Sequence, residues 1–442
     1  MKLNPSPAWL TERDGFLCPS CGRRHFGGLR DCAIGKNALS SLPVLLKKYG
    51  SEKPFVLCDR NTYAAAGEKA VSVLASAGIP CVLHVVERER PAPDERIVGE
   101  AVMYCPADCD AVIAVGSGVL NDTGKILAAA RKIPDLVVGT APSMDGYASG
   151  TSSMERGGLK VSLPSKCPDA VIAEPEILAS APVHMIRSGI GDMLAKYVSL
   201  AEWKIAAFLV GDFYCETAAD LVREALEICV EAGPAAVNGD GNAAAKVTEG
   251  LVVSGLAMNY AGISRPASGM EHYISHILDM RALAFGTPSD LHGIQCGIAT
   301  LEVVRAYEKL AKIAPDREKA LRHAREFDPE QWKTDLRERL GPGAEAMIRG
   351  EEKEGKYDPG KHAARLEKIL SGWDGILAVI AELPPSGELE AFMKRIGHPV
   401  SFAEIGVSEE DARDAFRLAP DIRDKYVLGR LLWDLGLTEE FC

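Results

Sequence analysis

The chain has 442 residues, with 50 Lys plus Arg against 62 Asp plus Glu and a formal net charge of −12. That length exceeds one ordinary core and points to two or three domains, while the acidic balance offers no footprint for phosphate backbones and excludes nucleic acid as a main partner. No run of 18 or more apolar residues occurs, so no membrane span is expected.

In chain order, the first segment, "MKLNPSPAWLTERDG", is polar and lacks an apolar signal region, so a cytoplasmic protein is expected. The 12 cysteines are scattered, several inside apolar runs such as "FVLCD" and "LEICV". That is the pattern of reduced thiols rather than of a disulfide framework. In "CPSCGRRH", Cys18 and Cys21 form a Cys-x-x-Cys, with His25 and Cys32 downstream. A zinc knuckle and a metal-free turn both remain open, because a second Cys-x-x-Cys or Cys-x-x-His is missing. Residues 1–28 are read as an N-terminal extension carrying this motif.

Residues 29–180 alternate strands and helices. "PFVLCD" predicts a strand ending in Asp59, and "YAAAGEKAVSVLASAG" predicts a helix stopped by glycine. "PCVLHVV", "DAVIAV", "DLVVGT" and "DAVIAEP" predict further strands. Short continuous apolar strands separated by helices imply a parallel sheet covered on both faces, with ligands at the carboxyl ends of its strands. "VGSGVLNDTGK" follows one such strand. Gly116 and Gly118 would let a pyrophosphate approach the backbone and the following helix N-terminus, and a plain strand-to-helix turn is the alternative. Asp59 could accept hydrogen bonds from a ribose or cap a helix. "TAPSMDGYASGTSS" is a polar, hydroxyl-rich segment at another strand end, where site loops belong.

Residues 181–442 read as helical. "HMIRSGIGDMLAKYVSLAEWKIAAFLV" predicts one long helical segment with Asp192 early in a helix. "NAAAKVTEGLVVSGLAMNYAG" and "GIQCGIATLEVVRAYEKLAKI" predict others. In "SGMEHYISHILDM", His272 and His276 are four residues apart and share a helix face; His292 stands at a helix start. With Asp192 they make a set suited to Zn²⁺, Ni²⁺ or Fe²⁺, or a set of structural histidines. The run "GEEKEGKYDPGKHAARLEK" is expected on a solvated face or in an insertion.

Five stretches, "GSGVLNDTGK", "TAPSMDGYAS", "SGIGDMLAK", "SRPASGMEHYISH" and "LHG", together resemble the sn-glycerol-1-phosphate dehydrogenase family, particularly its bacterial branch, within the dehydroquinate synthase-like and iron-containing alcohol dehydrogenase group. The resemblance spans roughly residues 29–310, and "KYVLGRLLWDLGL" near the end is also similar; the rest stands on composition alone. It implies a Rossmann-like parallel-sheet domain over 29–180 that binds a nicotinamide dinucleotide, followed by an all-helical metal- and substrate-binding domain over 181–442. By this resemblance Gly116, Ser117, Gly118, Val119 and Leu120 would hold the pyrophosphate of NAD(H) or NADP(H). Thr140, Ala141, Pro142, Ser143 and Ser149 would line the cofactor site, and Asp59 would hold the adenosine ribose. Asp192, His272 and His292 would bind one Zn²⁺ or Ni²⁺. Asp145, Asp192 and His276 would meet the substrate, with Asp192 and His276 as the catalytic pair.

The implied reaction is reversible reduction of dihydroxyacetone phosphate to sn-glycerol 1-phosphate, a phospholipid precursor. A proton would reach the product oxygen from His276 or from water on the metal. Asp59 favours NAD(H), because a carboxylate repels a 2′-phosphate, although Arg60 beside it could accept one. Asp122 and Lys125 would then lie near the cofactor cleft, with no role assigned; a helix-start aspartate with a solvated lysine is the plain alternative. Arg265 and Lys196 are candidates for the substrate phosphate; Arg265 could instead pair with a carboxylate, and Lys196 could simply be exposed. A homodimer is implied. The alternatives are 3-dehydroquinate synthase, against which the "TAPSMDGYAS" loop argues, and glycerol dehydrogenase; a binding module built on the Cys-x-x-Cys segment is a further one.

Overall fold

The computed structural model describes residues 15–157 and 159–442. Two compact units interleave in sequence. The first comprises the chain up to Met193 together with Glu216–Ser264, and the second comprises Leu194–Cys215 and Arg265–Cys442. Position 180, the expected boundary, therefore lies inside the first unit. Close backbone packing explains why the later segment belongs there. A Cβ added to Gly255, in the Gly241–Ala261 helix, would come within 2.7 Å of the Asp145 carbonyl oxygen.

Ten strands occur among the described residues, numbered in chain order: β1 (Phe16–Leu17), β2 (Arg24–His25), β3 (Asp31–Ile34), β4 (Pro54–Asp59), β5 (Val82–Val86), β6 (Ala111–Gly116), β7 (Asp135–Gly139), β8 (Thr151–Arg156), β9 (Leu159–Pro164) and β10 (Ala170–Ala173). Six form one parallel sheet in the order β3-β10-β7-β6-β4-β5. All five predicted apolar strands are in it. The central strand β6 is buried along its whole length, as expected of a sheet packed on both faces. Its odd and even residues feed different cores: Ala111, Ile113 and Val115 pack with Leu39, Leu46 and Leu74, and Val112 packs with Phe55, Leu57 and Leu120. Each of the Val, Ile, Leu and Phe side chains among them contributes roughly 1.5–3 kcal/mol on burial.

The sheet order carries a functional consequence. From β4 the chain moves outward to β5, then returns to β6 on the other side of β4. Strand order reverses there, and doubly wound sheets bind ligands at that crevice, beyond the strands' carboxyl ends. Asp59 ends β4 and Gly116 ends β6.

Two parts of this unit differ from expectation. The strand β3 reads too short and mixed to be seen in "DCAI". The polar segment after Thr140 is not all loop: a turn at Asp145–Ala148 leads into β8, which pairs antiparallel with β9. Ser152 and Met154 are the buried face of that hairpin, an alternation hidden by its hydroxyls.

The second unit is helical. Lys196–Val210, Met270–Phe285 and His292–Leu310 pack against one another and bury Trp203, Tyr273 and Tyr307. The long predicted segment before it is two helices, Val183–Leu194 and Lys196–Val210, one in each unit. The charged run near 350–368 is not an unpacked insertion. It forms helices Ala344–Glu354 and Pro359–Ser371; His362 and Leu366 are fully buried, and His362 Nε2 donates to the Asp434 carbonyl at 2.8 Å. Its helices are amphipathic, with Glu352, Lys353, Glu367 and Lys368 exposed while Glu351 is buried and Arg365 pairs with the buried Asp434. Among the described residues, no helix is long and apolar enough to cross a membrane.

Candidate active site

The strand-end turns of the first unit come first. Gly116 closes β6 against Leu120: a Cβ at Gly116 would lie 2.5 Å from Leu120 Cδ1. Leu120 is a core residue packed with Phe55 and Val112, so only its backbone can serve a ligand. Gly118 is different. A Cβ there would meet only Met144 Cγ, at 3.9 Å. Gly118 opens the Gly118–Arg131 helix, whose N-cap Ser117 makes no side-chain cap. The first helical amides thus keep their partial positive charge, and the space over Gly118 is open. A pyrophosphate fits this turn.

Asp59 caps the helical turn that follows β4. Its Oδ1 accepts the Thr62 N–H at 2.8 Å, and Thr62 Oγ1 accepts the Asp59 N–H at 2.9 Å, a capping box. Arg60 forms an exposed ion pair with Glu87, just past β5.

For Asp122 and Lys125 the structure removes the alternative of a solvated lysine. Lys125 is fully buried. Its Nζ pairs with Asp122 Oδ1 at 2.8 Å and donates to Gly146 O at 3.1 Å, Ser149 Oγ at 3.2 Å and Thr151 O at 2.6 Å. Asp122 Oδ2 accepts the Ser153 N–H at 2.9 Å. The two charges tie the helix after the glycine turn to the 145–153 segment. A buried ammonium needs this many partners.

The 140–149 turn is held on every side. Tyr147 Oη donates to Ala141 O at 2.6 Å, and Ser188 Oγ to Ser143 O at 3.0 Å. Gly189 lets its helix approach Pro142: a Cβ there would lie 2.0 Å from the Pro142 carbonyl oxygen. This approach brings Asp192 to Asp145. The Asp145 N–H donates to Asp192 Oδ2 at 2.9 Å, and Ser254 Oγ donates to Asp145 Oδ2 at 2.9 Å. Both carboxylates are buried. Asp192 sits near the C-terminal end of the Val183–Leu194 helix rather than early in it.

In the second unit the structure gathers all three expected histidines. Ring centroids of His272 and His292 are 5.0 Å apart, those of His276 and His292 are 5.4 Å apart, and those of His272 and His276 are 6.5 Å apart. His292 does begin a helix. His272, His292 and Cys296 offer ligand atoms within 4.8 Å of one another, and so do His276, Asp279 and His292. Asp192 belongs to the other unit.

Sequence reasoning missed the groups that aim these rings. Glu271 is fully buried and holds His272 Nδ1 at 2.8 Å and the Gly269 N–H at 2.6 Å. A carboxylate on Nδ1 fixes the tautomer and leaves Nε2 as a donor to a metal. His292 Nδ1 lies 3.0 Å from Ser275 Oγ, which also accepts from Gln295 Nε2 at 3.0 Å. Glu202 accepts the N–H groups of Met270 at 2.8 Å and Leu428 at 2.7 Å. Burial, and next the Glu271 charge, raise the Glu202 carboxyl well above the usual carboxylate range, against the pull of those N–H groups. The pair Glu-His in "GMEHY" was a readable signal for Glu271; Glu202 had none.

The two cations expected at the substrate phosphate are engaged. Arg265 is buried, pairs with Asp212, and donates to Tyr426 O at 2.8 Å. Lys196 is fully buried and donates to Ala267 O at 3.0 Å.

A parallel sheet with an open glycine turn at its reversal point, and a helical unit with clustered histidines, is the build of an iron-containing alcohol dehydrogenase. A family model described as "Iron-containing alcohol dehydrogenase" matches residues 33–182. The solved glycerol dehydrogenase of Schizosaccharomyces pombe shares the fold, with a TM-score of 0.60 and 16% identity over 98% of this chain and 92% of that one. Sequence relatives are more specific. The chain is 32% identical to the glycerol-1-phosphate dehydrogenase [NAD(P)+] of Bacillus licheniformis over 94% of its own length and 92% of the relative's. It is 31% identical to the enzyme of that name from Bacillus velezensis, over 90% and 89%. The chain belongs to the NAD(P)-dependent glycerol-1-phosphate dehydrogenase family.

Proposed function

We propose that this chain reduces dihydroxyacetone phosphate to sn-glycerol 1-phosphate with NADH or NADPH, reversibly, using one Zn²⁺ or Ni²⁺ per subunit. The observation that carries the reading is the grip of Glu271 on His272 Nδ1, 2.8 Å long, beside two further histidine rings. Such carboxylate–imidazole pairs direct Nε2 at a metal. The names of relatives that match nearly the whole chain support the substrate.

In this reading Asp192, His272 and His292 hold the ion, a hard-and-borderline oxygen and nitrogen set that suits Zn²⁺ or Ni²⁺. The amides from Gly116 to Leu120 bind the pyrophosphate. Thr140, Ala141, Pro142, Ser143 and Ser149 wall the cofactor, and Asp59 holds the ribose while keeping its capping bond. When bound, the nicotinamide supplies a hydride and the ion polarises the ketone. Asp145, fixed by Ser254 and by its own N–H to Asp192, orients the substrate. His276 holds the proton that the C2 oxygen acquires. The Asp122–Lys125 pair acts behind the site, keeping the 145–149 turn in register with the glycine turn. The working form in this reading is a cytoplasmic homodimer.

The substrate is tested by comparing dihydroxyacetone phosphate with dihydroxyacetone under NADH, and by assaying the product with an enzyme specific for the sn-3-phosphate. Preference for the phosphate, with a product that enzyme does not consume, is expected. Preference for the unphosphorylated ketone would make this a glycerol dehydrogenase instead.

A further inference from the structure

The N-terminal Cys-x-x-Cys takes no part in the chemistry above, and the structure gives it partners the sequence did not. Cys18 and Cys21 lie in the turn between β1 and β2. The turn is tight: the Cys18 N–H donates to Arg23 O at 2.8 Å and the Gly22 N–H to Cys18 O at 2.9 Å. Gly22 has φ +68°, a conformation that glycine adopts without steric cost. The antiparallel pairing Phe16↔His25 and Leu17↔Arg24 then brings His25 back beside the turn. Cys32, the partner expected from sequence, is held in β3 opposite Val171. Its place is taken by Cys215, one peptide bond before the Glu216–Ala236 helix. That helix is fastened to the same turn, since Thr217 Oγ1 accepts from Cys18 Sγ at 3.2 Å and lies 3.0 Å from Ser20 Oγ.

Ligand atoms of Cys18, Cys21, His25 and Cys215 all lie within 4.8 Å of one another, and Cys18, His25 and Cys215 are at most 2% exposed. The orientation of His25 is the second observation. Its Nδ1 lies 2.6 Å from the Tyr260 carbonyl oxygen. A carbonyl can only accept, so Nδ1 carries the proton. Nε2 therefore presents its lone pair, and it faces Cys21 Sγ at 3.2 Å. A backbone carbonyl on the far nitrogen is the usual support of a metal-binding imidazole.

We propose that these four side chains bind one structural zinc ion, in a Cys₃His site whose ligands are none of those at the histidine cluster. Three sulfurs and one imidazole are a closed, soft set that suits Zn²⁺ and offers no oxygen to Mg²⁺ or Ca²⁺. A tetrahedral ion with Zn–S bonds of about 2.3 Å sets its sulfurs about 3.8 Å apart, within the 4.8 Å that bounds these ligand atoms. Such a clip would add to the contacts that already hold the hairpin against Thr217 and Tyr260. Its strands have two residues each, and a lone hairpin is marginal in water. The clip also reaches inward. Tyr260, bonded to His25, follows Asn259, which donates to Gly27 O at 2.6 Å and Ala148 O at 2.7 Å and accepts the Gly150 N–H at 2.9 Å. The ion would thus brace the helix that carries Ser254 and the 145–150 turn.

The test is cobalt substitution of the full-length protein, kept reduced, with metal analysis of the zinc form. The wild type and His272→Ala should both show thiolate-to-cobalt charge-transfer absorption and tetrahedral d–d bands. Cys18→Ser with Cys21→Ser should lose those bands and one equivalent of zinc, and should retain NADH oxidation. Binding of one equivalent by His272→Ala, released on titrating thiols with a mercurial, would support the site without any cysteine variant having to fold. Absence of thiolate–cobalt bands in the wild type, or a Cys18–Cys21 disulfide in protein purified with reductant and zinc, would overturn it.

Discussion

Around Gly118 the first unit offers a ligand its backbone, whereas around His272 the second unit offers side chains. The glycine turn works by what is missing: no Cβ over Gly118 and no side-chain cap on Ser117. The histidine cluster works by what is added. Glu271, Ser275 and Gln295 fix rings that would otherwise have two tautomers each. A backbone site is specified by a local string, while the histidine cluster depends on His272 and His292, 20 positions apart, and on a buried carboxylate behind them. The first should fail by obstruction and the second by loss of a charge or a lone pair.

The largest effect expected is at the ligands. His272→Ala or Asp192→Asn should lower kcat/KM by about a thousandfold or more, since the ion supplies several kcal/mol of transition-state stabilisation. Metal analysis beside activity checks this; an active His272→Ala would remove the side-chain site from the account. Next comes the buried pair behind the turns. Lys125→Met leaves Asp122 enclosed without its cation and should cost about 3–5 kcal/mol of stability, read as a lower urea midpoint. Unchanged stability would mean that the pair is solvated after all.

Gly118→Val tests obstruction. The cofactor KM should rise roughly ten- to a hundredfold, equivalent to about 1.4–2.7 kcal/mol, with stability nearly unchanged, since a Cβ there meets little protein. An unchanged KM would reduce the loop to a turn. Glu271→Gln keeps the size of the carboxylate and removes its charge. Metal affinity should fall about 10–100-fold, measured by chelator competition. The smallest effect is at Arg60. A surface ion pair such as Arg60–Glu87 is worth about 0–1 kcal/mol, so Arg60 can turn to a 2′-phosphate. Arg60→Ala should weaken NADPH several-fold and leave NADH nearly unaffected; equal loss for both would assign it to structure.

The same contrast explains how much was legible. The strands of the sheet announce themselves as short apolar runs, and His272 and His276 as a pair on one helix face. Asp192 and Asp145 could be singled out one at a time, but not their contact, which depends on Gly189 letting two backbones meet. The burial of Lys125 was not legible, because a lysine in a helix is ordinarily solvated; Asp122 and three oxygen partners from 146–151 make it tolerable. Glu202 and Cys215 were invisible, since each acts through neighbours far off in sequence. The hairpin of β8 and β9 was hidden because one of its inward positions is a serine, Ser152.

The proposed function rests on an ion held by Asp192, His272 and His292. The most direct test is NADH oxidation with dihydroxyacetone phosphate by chelator-treated enzyme, before and after adding Zn²⁺ or Ni²⁺. Little oxidation is expected in the stripped enzyme, with recovery on adding either ion and none in Asp192→Asn. Full activity in the stripped enzyme would contradict that proposal.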